Sequence, residues 1–380
     1  MKQKSICVVT NGYPTKEDPV YAFIQPLVRE MADNGIHCTV IAPQSISNRV
    51  ITKKKKRPYK WIDKTEKGNE IVIYQPQYIS ASKVKLLDQN ISIVLRDKAI
   101  INCFLNEKIE TDILYAHFWD CGIAACKIAE RINVPLYVAS GESKIRVFDY
   151  YPERVIEKYK KYVSGVVFVS TKNLNESKTL NLLENNPRVI VLPNAYDPHE
   201  FYSIPQKEAR ESLGIPGNKK VAIFVGAFSG RKGVLRVVEA AKQIDDLQLI
   251  LIGSGELQPN GAHILYSGKL PHEQIVTYLN AADIFVLPTL AEGCCNAIVE
   301  ALACGLPVIS SDLPFNYDIL DETNSILINP KSVLEIAEAM KYVFSDPKII
   351  SDLSEGAKLK ANSLSIESRC KKLCDFIGIL

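Results

Sequence analysis

The segment DIFVLPTLAEGCCNAIVEALACGLPVISSD (283–312) reads as strand, helix, strand. DIFVLP (283–288) is a short apolar run, as in a strand buried on both faces. A helix follows from about residue 294 to 304, and PVISSD (307–312) is the next strand. Two buried strands joined by a helix lie parallel in one sheet.

The alternation extends outward from this unit. Upstream stand KKVAIFVG (219–226), a helix over 234–243, LQLILIG (247–253), HILYSG (263–268) and a helix over 272–281. PNAYDPHEFYSIPQ (193–206), with three prolines, breaks the pattern as a linker does. Before it come SICVVT (5–10), HCTVIA (37–42), EIVIY (70–74), DILYAH (112–117), PLYVAS (135–140), GVVFVS (165–170) and RVIVLP (188–193). Phe23, Leu27, Val28 and Met31, then Ile123, Cys126, Ile128 and Ala129, recur at helical spacing between those runs. The chain is therefore expected to be α/β, with two Rossmann-like doubly wound domains, 1–195 and 206–364. Ligands of open α/β sheets bind beyond the carboxyl ends of the strands, and two such domains facing a central cleft place the chemistry there.

Bulk properties narrow the function. A chain of 380 residues with 47% hydrophobic and 23% charged residues is an ordinary globular protein long enough for two cores. Its ten cysteines show no Cys-x-x-Cys and no framework spacing, which fits a reducing cytoplasm. No apolar run reaches the length of a signal-peptide core or a membrane span, so a cytoplasmic protein is expected. The net charge of +3 is too small to point to nucleic acid. One stretch stands apart: RVITKKKKRPYK (49–60) holds seven cations in twelve residues. It is either a solvated loop or a loop for an anionic lipid surface or a phosphate, the latter making the protein peripheral on a membrane.

Several residues carry candidate chemistry. Eight residues of regular helix would part Glu292 and Glu300 by roughly 12 Å. That is too far for a carboxylate dyad but suits two contacts to one elongated ligand. Gly293 lets backbone approach a ligand, and the helix start offers N–H groups to an anion. VGAFSGRKG (225–233) brings Arg231 and Lys232 to a strand end between Gly226 and Gly233. On their own, a pair of glutamates and an Arg-Lys turn are more often a capped surface helix and surface decoration.

The longer string overturns that reading. E292-GCCNAIV-E300-ALACGLPVI (292–309) resembles the signature of the family-4-type retaining glycosyltransferases of the GT-B fold: Glu, seven residues, Glu, then Ala-x-Ala-x-Gly-x-Pro-Val-Ile. The resemblance extends through VSTKNLNE (169–176) and VLPNAYD (191–197) and covers nearly the whole chain. It implies that Lys232, supported by Arg231, binds the donor diphosphate, that Glu300 meets the ribose, and that Glu292 orients the sugar. Cys294, Cys295 and Asn296 would face the sugar or phosphates, with Gly226 and Gly293 lining the donor. His117, ending DILYAH, would contact the donor sugar as a polar group rather than a base. Asn11, Gly12 and Tyr13 of the loop after the first strand, with Glu142 and Ser143 of SGES (140–143), would line the acceptor side. The chain departs from the pattern in two places: Ala227 stands where many relatives have arginine, and Asn11-Gly12-Tyr13-Pro14 replaces a Gly-Gly pair. SIESRCKKLCDFIGIL (365–380) is expected to be a helix returning to the first domain, as GT-B proteins often show.

The resulting expectation is a retaining hexosyltransferase. It would use a UDP- or GDP-sugar as substrate and a glycan or lipid-linked acceptor, in cell-surface polysaccharide biosynthesis. No Asp-x-Asp occurs, so neither a metal nor any other cofactor is expected. Retention follows from the resemblance alone. Two rivals remain: a nucleotide-sugar epimerase of the same fold, and a noncatalytic two-lobed sugar-binding protein, which would need an export signal and would have no use for the Arg231-Lys232 turn.

Overall fold

A computed structural model describes residues 3–379 other than 16, 17, 19, 53, 54, 81–84, 87, 88, 185 and 186. The chain forms two compact units: Met1–Val169 with Asn173–Leu192 and Cys370–Leu380, and Ser170–Lys172 with Pro193–Arg369.

In chain order the first part runs β1 (Ser5–Val9), α1 (Ile24–Asp33), β2 (His37–Ile41), β3 (Gln44–Ser45), α2 (Ile46–Ile51), β4 (Lys60–Lys64), β5 (Glu70–Tyr74) and β6 (Gln77–Tyr78). It continues with β7 (Lys85–Leu86), β8 (Gln89–Asn90), α3 (Ile91–Asn106), β9 (Ile113–His117), α4 (Trp119–Ile132) and β10 (Leu136–Ser140). Then come α5 (Val147–Tyr150), α6 (Glu153–Lys160), β11 (Val163–Phe168), α7 (Thr171–Thr179) and β12 (Arg188–Val191). Eight strands make one sheet in the order β12-β11-β10-β9-β1-β2-β5-β4. All neighbours are parallel except the edge pair β4 and β5. The apolar runs fill its centre: Cys7, Val8, Val9, Leu114, Ala116 and Val138 are fully buried.

The second part runs α8 (Gln206–Leu213), β13 (Lys220–Val225), α9 (Val234–Ala241), β14 (Leu247–Ile252), β15 (Ile264–Gly268), α10 (His272–Ala281), β16 (Ile284–Leu287), α11 (Asn296–Ala303), β17 (Val308–Ser311) and β18 (Ser325–Ile328). It ends in α12 (Val333–Val343), α13 (Pro347–Ala361) and α14 (Ile366–Ile377). The sheet order β15-β14-β13-β16-β17-β18 is wholly parallel and reverses direction between β13 and β16. That order is the doubly wound dinucleotide-fold arrangement, whose ligand crevice lies at the reversal. Local signals set the later helices: the Ser332 hydroxyl accepts from the Glu335 N–H, and Asp346 caps α13 ahead of Pro347. From Cys370 onward α14 belongs to the first unit, where the Phe376 ring meets Tyr137 edge-on at 5.7 Å. Among the described residues no helix is long and apolar enough to cross a membrane.

Two expectations are corrected. The basic stretch 49–60 is not one solvated loop: Arg49 lies on α2, Arg57 is ion-paired to Asp18 at 2.8 Å, and Lys60 opens β4. Lys53 and Lys54 fall outside the described residues. The helix expected from 294 begins at Asn296, so Glu292 sits on the turn ahead of it, and a spacing along one helix axis does not describe the glutamate pair.

The turns after β13 and β14 pack backbone to backbone. The Gly226 N–H donates to Ile252 and the Phe228 N–H to Ser254, both at 2.9 Å. A Cβ on Gly253 would stand 1.9 Å from the Gly226 carbonyl oxygen. Gly253→Ala is therefore expected to cost about 2–4 kcal/mol and to lower the thermal midpoint by several degrees. Melting unchanged from wild type would show that the two turns part easily.

Candidate active site

In the second unit the turn after β13 carries Arg231 and Lys232, and the turn after β16 carries Glu292, so the sheet reversal brings them together. The Glu292 Oε1 accepts from Arg231 Nη1, from Lys232 Nζ and from the Thr289 hydroxyl, each at 2.7 Å. Arg231 also donates to the Ala291 carbonyl at 2.5 Å, while its backbone carbonyl accepts from the Leu290 N–H. The two turns are thus stitched by side chains and backbone alike. Burial works against the Lys232 charge, but Cys295 and Glu292 outweigh it and hold the pKa above that of an ordinary lysine. Gly233, at φ 83°, ends the first turn; a Cβ there would meet the Pro288 carbonyl at 2.8 Å.

Cys294 and Cys295 are buried, and Asn296 begins α11. Asn194 fixes this corner, donating through Nδ2 to the Cys294 carbonyl at 3.0 Å and to the Asn296 Oδ1 at 2.6 Å. Cys295 offers α11 no side-chain cap. Glu300, one helical turn further, lies 3.6 Å from His272 Nε2, whose Nδ1 is 3.2 Å from Glu200. The carboxylates of Glu200 and then Glu300 raise the His272 pKa from 6.5 to about 10, which favours the charged imidazolium.

In the first unit the sheet reverses between β1 and β9. His117 ends β9 almost fully buried, with the Tyr115 ring edge-on at 5.1 Å and the Phe23 ring at 6.0 Å. Asn11, after β1, accepts from Arg96 at 2.9 Å and donates to Asp120 at 2.9 Å. Behind it Arg96, Asp97, Asp120 and Tyr151 form a buried charged cluster. Gly12 packs on Tyr21, whose ring carbon would lie 2.9 Å from an added Cβ. The Tyr13 ring has no exposed surface, and its hydroxyl donates to Asp63 at 2.7 Å, so it supports the loop from within. Glu142 caps α4: its carboxylate accepts from the Trp119 N–H and from the Ser140 hydroxyl, both at 2.9 Å. Ser143 beside it is exposed.

Residues 205–360 match the family model "Glycosyl transferases group 1". Over 367 residues the chain is 28% identical to TuaC of Bacillus subtilis (strain 168), a glycosyltransferase named for teichuronic acid biosynthesis, covering 91% of this chain and 92% of that one. This chain is a glycosyltransferase with a group 1 domain. The glycosyltransferase is also 28% identical, over 80% of its length and 84% of the relative's, to the Escherichia coli UDP-Gal:alpha-D-GlcNAc-diphosphoundecaprenol alpha-1,3-galactosyltransferase. Its fold is GT-B. Sucrose-phosphate synthase from Thermosynechococcus elongatus superposes with a TM-score of 0.76 over 98% of both chains at 16% identity. Anabaena HepE in complex with UDP and glucose gives 0.69 over 99% of this chain and 100% of that one at 14% identity.

Several residues of this glycosyltransferase escaped the sequence reading. Gly253 and Gly255 hold the turn after β14 against Gly226 and Phe228, and the Gly-Ser-Gly following an apolar strand was the available signal. Thr289, Asn194 and His272 are isolated polar residues that only the fold brings to Glu292, Asn296 and Glu300.

Burial raises the Glu142 pKa from 4.5 to about 7, against the hydrogen bonds that favour its charge. An acid with a raised folded pKa contributes stability that is present below its unfolded pKa and lost as pH rises through the folded value. Wild type should therefore lose stability between pH 4.5 and about 7 at this site, and Glu142→Gln should not. Denaturation midpoints of the two proteins that run parallel across this window would refute the assignment.

Proposed function

We propose that the glycosyltransferase moves a hexosyl unit, with retention, from a UDP- or GDP-sugar to a glycan or lipid-linked acceptor in cell-surface polysaccharide assembly. The observation that carries this reading is the meeting of Arg231 and Lys232 on one oxygen of Glu292 at the reversal point of the second sheet. Cations held there by a carboxylate are ready to exchange part of that pairing for a diphosphate. The uncapped start of α11 adds backbone N–H groups beside them. Glu300 would take the ribose hydroxyls and Glu292 the sugar, with Cys294, Cys295, Asn296, Gly226 and Gly293 shaping the donor pocket.

The acceptor oxygen forms its bond to the anomeric carbon as the bond to the diphosphate breaks, through an oxocarbenium-like state. The nucleoside diphosphate leaves with the electron pair, and the acceptor's hydroxyl proton is released. Lys232 and Arg231 stabilise the charge that develops on the leaving group, a preorganised electrostatic contribution of the kind that dominates transfer chemistry. His117 would contact the sugar, and Asn11, Gly12, Glu142 and Ser143 would serve the acceptor side. HepE solved with UDP and glucose supports the donor class, and TuaC and the galactosyltransferase acting on a diphosphoundecaprenol support the acceptor class. The exposed Val50 and Ile51, with Lys56 exposed nearby, support action at an anionic membrane surface.

Calorimetric titration of UDP and GDP without added metal tests the donor site. One nucleotide is expected to bind in the micromolar range, at least about tenfold more weakly to Lys232→Ala and to Glu300→Ala. Binding of neither nucleotide, or variants that bind like wild type, would overturn the site.

A further inference from the structure

A pocket of about 180 Å³ opens in the first unit beside Asn11 and Gly12, where the chain leaves β1, β2 and β5 at the carboxyl edge of the sheet. Its wall includes Arg49, Lys55, Arg57 and Asp18. The pocket is smaller than the roughly 300–1,000 Å³ that drug-sized ligands occupy, so it suits one group of a ligand rather than a whole nucleotide sugar.

The charges on this wall are unequal in their commitments. Arg57 is satisfied: it ion-pairs with Asp18 at 2.8 Å and donates to the Tyr13 carbonyl. That pair uses the carboxylate on the wall. Among the described residues Arg49 and Lys55 make no ion pair, and the Arg49 Nη1 is buried with no hydrogen-bond partner. A buried guanidinium nitrogen without an acceptor is costly, and a doubly oxygenated anion is the group its planar fork fits best. The lining therefore has two uncommitted cations and hydroxyl and amide neighbours in Ser45, Asn48 and Thr52. It also adjoins the loop assigned to the acceptor.

We infer that Arg49 and Lys55 form a subsite for a phosphoryl group carried by the acceptor. The inference rests on the glycosyltransferase reading and adds a substrate class to it: the acceptor is a phosphorylated or diphosphate-linked molecule, held at its phosphate by Arg49 of α2 and by Lys55. The sugar hydroxyl to be glycosylated is then presented beside Asn11. The same cations would recognise a free phosphate or an anionic lipid headgroup, and the experiment separates these sources.

Inorganic diphosphate is titrated into the full chain carrying Lys232→Ala, which weakens the proposed donor site, with and without Arg49→Gln. The expected result is about tenfold weaker diphosphate binding with Arg49→Gln, partial recovery with Arg49→Lys, and UDP or GDP affinity of the single Arg49→Gln variant within about twofold of wild type. Equal diphosphate binding with and without Arg49→Gln overturns the subsite, whatever the nucleotide titrations show. Failure of the nucleotide titrations alone would instead count against the donor reading. If Arg49→Gln does not fold, Lys55→Gln on the exposed wall carries the same expectation and the same overturning result. Sedimentation with phosphatidylglycerol and phosphatidylcholine vesicles completes the test. Loss of phosphatidylglycerol binding in Arg49→Gln with diphosphate binding unchanged assigns the cations to a lipid surface and overturns the acceptor subsite.

Discussion

A parallel sheet is the constraint from which the rest follows. Every parallel neighbour requires a crossover, so all the carboxyl ends of the strands, and the turns that leave them, gather on one edge. Where the strand order reverses, two adjacent turns leave in opposite directions and a crevice opens between them. In the second unit the reversal lies between β13 and β16, and its two turns hold Arg231, Lys232 and Glu292. In the first it lies between β1 and β9, where Asn11 follows one strand and His117 ends the other. Lys232 and Glu292 stand sixty positions apart in sequence. Topology alone makes them neighbours.

The two reversals treat charge differently. At the second, the cations and the carboxylate share one oxygen, and Arg231 stays nearly half exposed, so its partner is open to exchange. At the first, Arg96, Asp97 and Asp120 are buried and tied to Tyr151 and Lys127. A buried ionic cluster of that kind contributes little net stability, yet removing one member leaves an uncompensated charge costing about 3–5 kcal/mol. Its effect is to hold Asn11 and the start of α4 in one geometry. The second reversal thus leaves a paired cation within reach of solvent, while the cluster behind the first is closed off.

The second unit was legible because its apolar strands are bounded by turns, and because Glu292, Glu300, Arg231 and Lys232 sit in motifs with fixed local spacing. EIVIY (70–74) and the helix His272–Ala281 could be read to the residue for the same reason. What escaped lacks a periodic signal. The helix α3 buries Arg96 and Asp97 on its packed face, so its hydrophobic pattern is broken by the very residues that matter. The strand β4, KWIDK, is an antiparallel edge with Lys60 and Lys64 exposed, which protects the edge but removes the apolar run that marks a central strand. The basic stretch looked uniform because charge is visible in sequence and pairing is not. Only the fold shows that, among the described residues, Arg57 is paired with Asp18 while the Arg49 Nη1 has no partner.

The same distinction explains why the acceptor side is harder to read than the donor side. In the proposed function the donor presents a diphosphate, and the cations at the second sheet reversal would answer it directly. On that proposal the acceptor would be met by loops whose side chains also hold those loops in place. Tyr13 is consumed by Asp63, Glu142 by the first turn of α4, and Asn11 by Arg96 and Asp120. Residues with such structural duties can shape a surface without touching what binds there. A polar atom that the described residues leave without a partner carries no such duty, and on the wall beside Asn11 the Arg49 Nη1 is one.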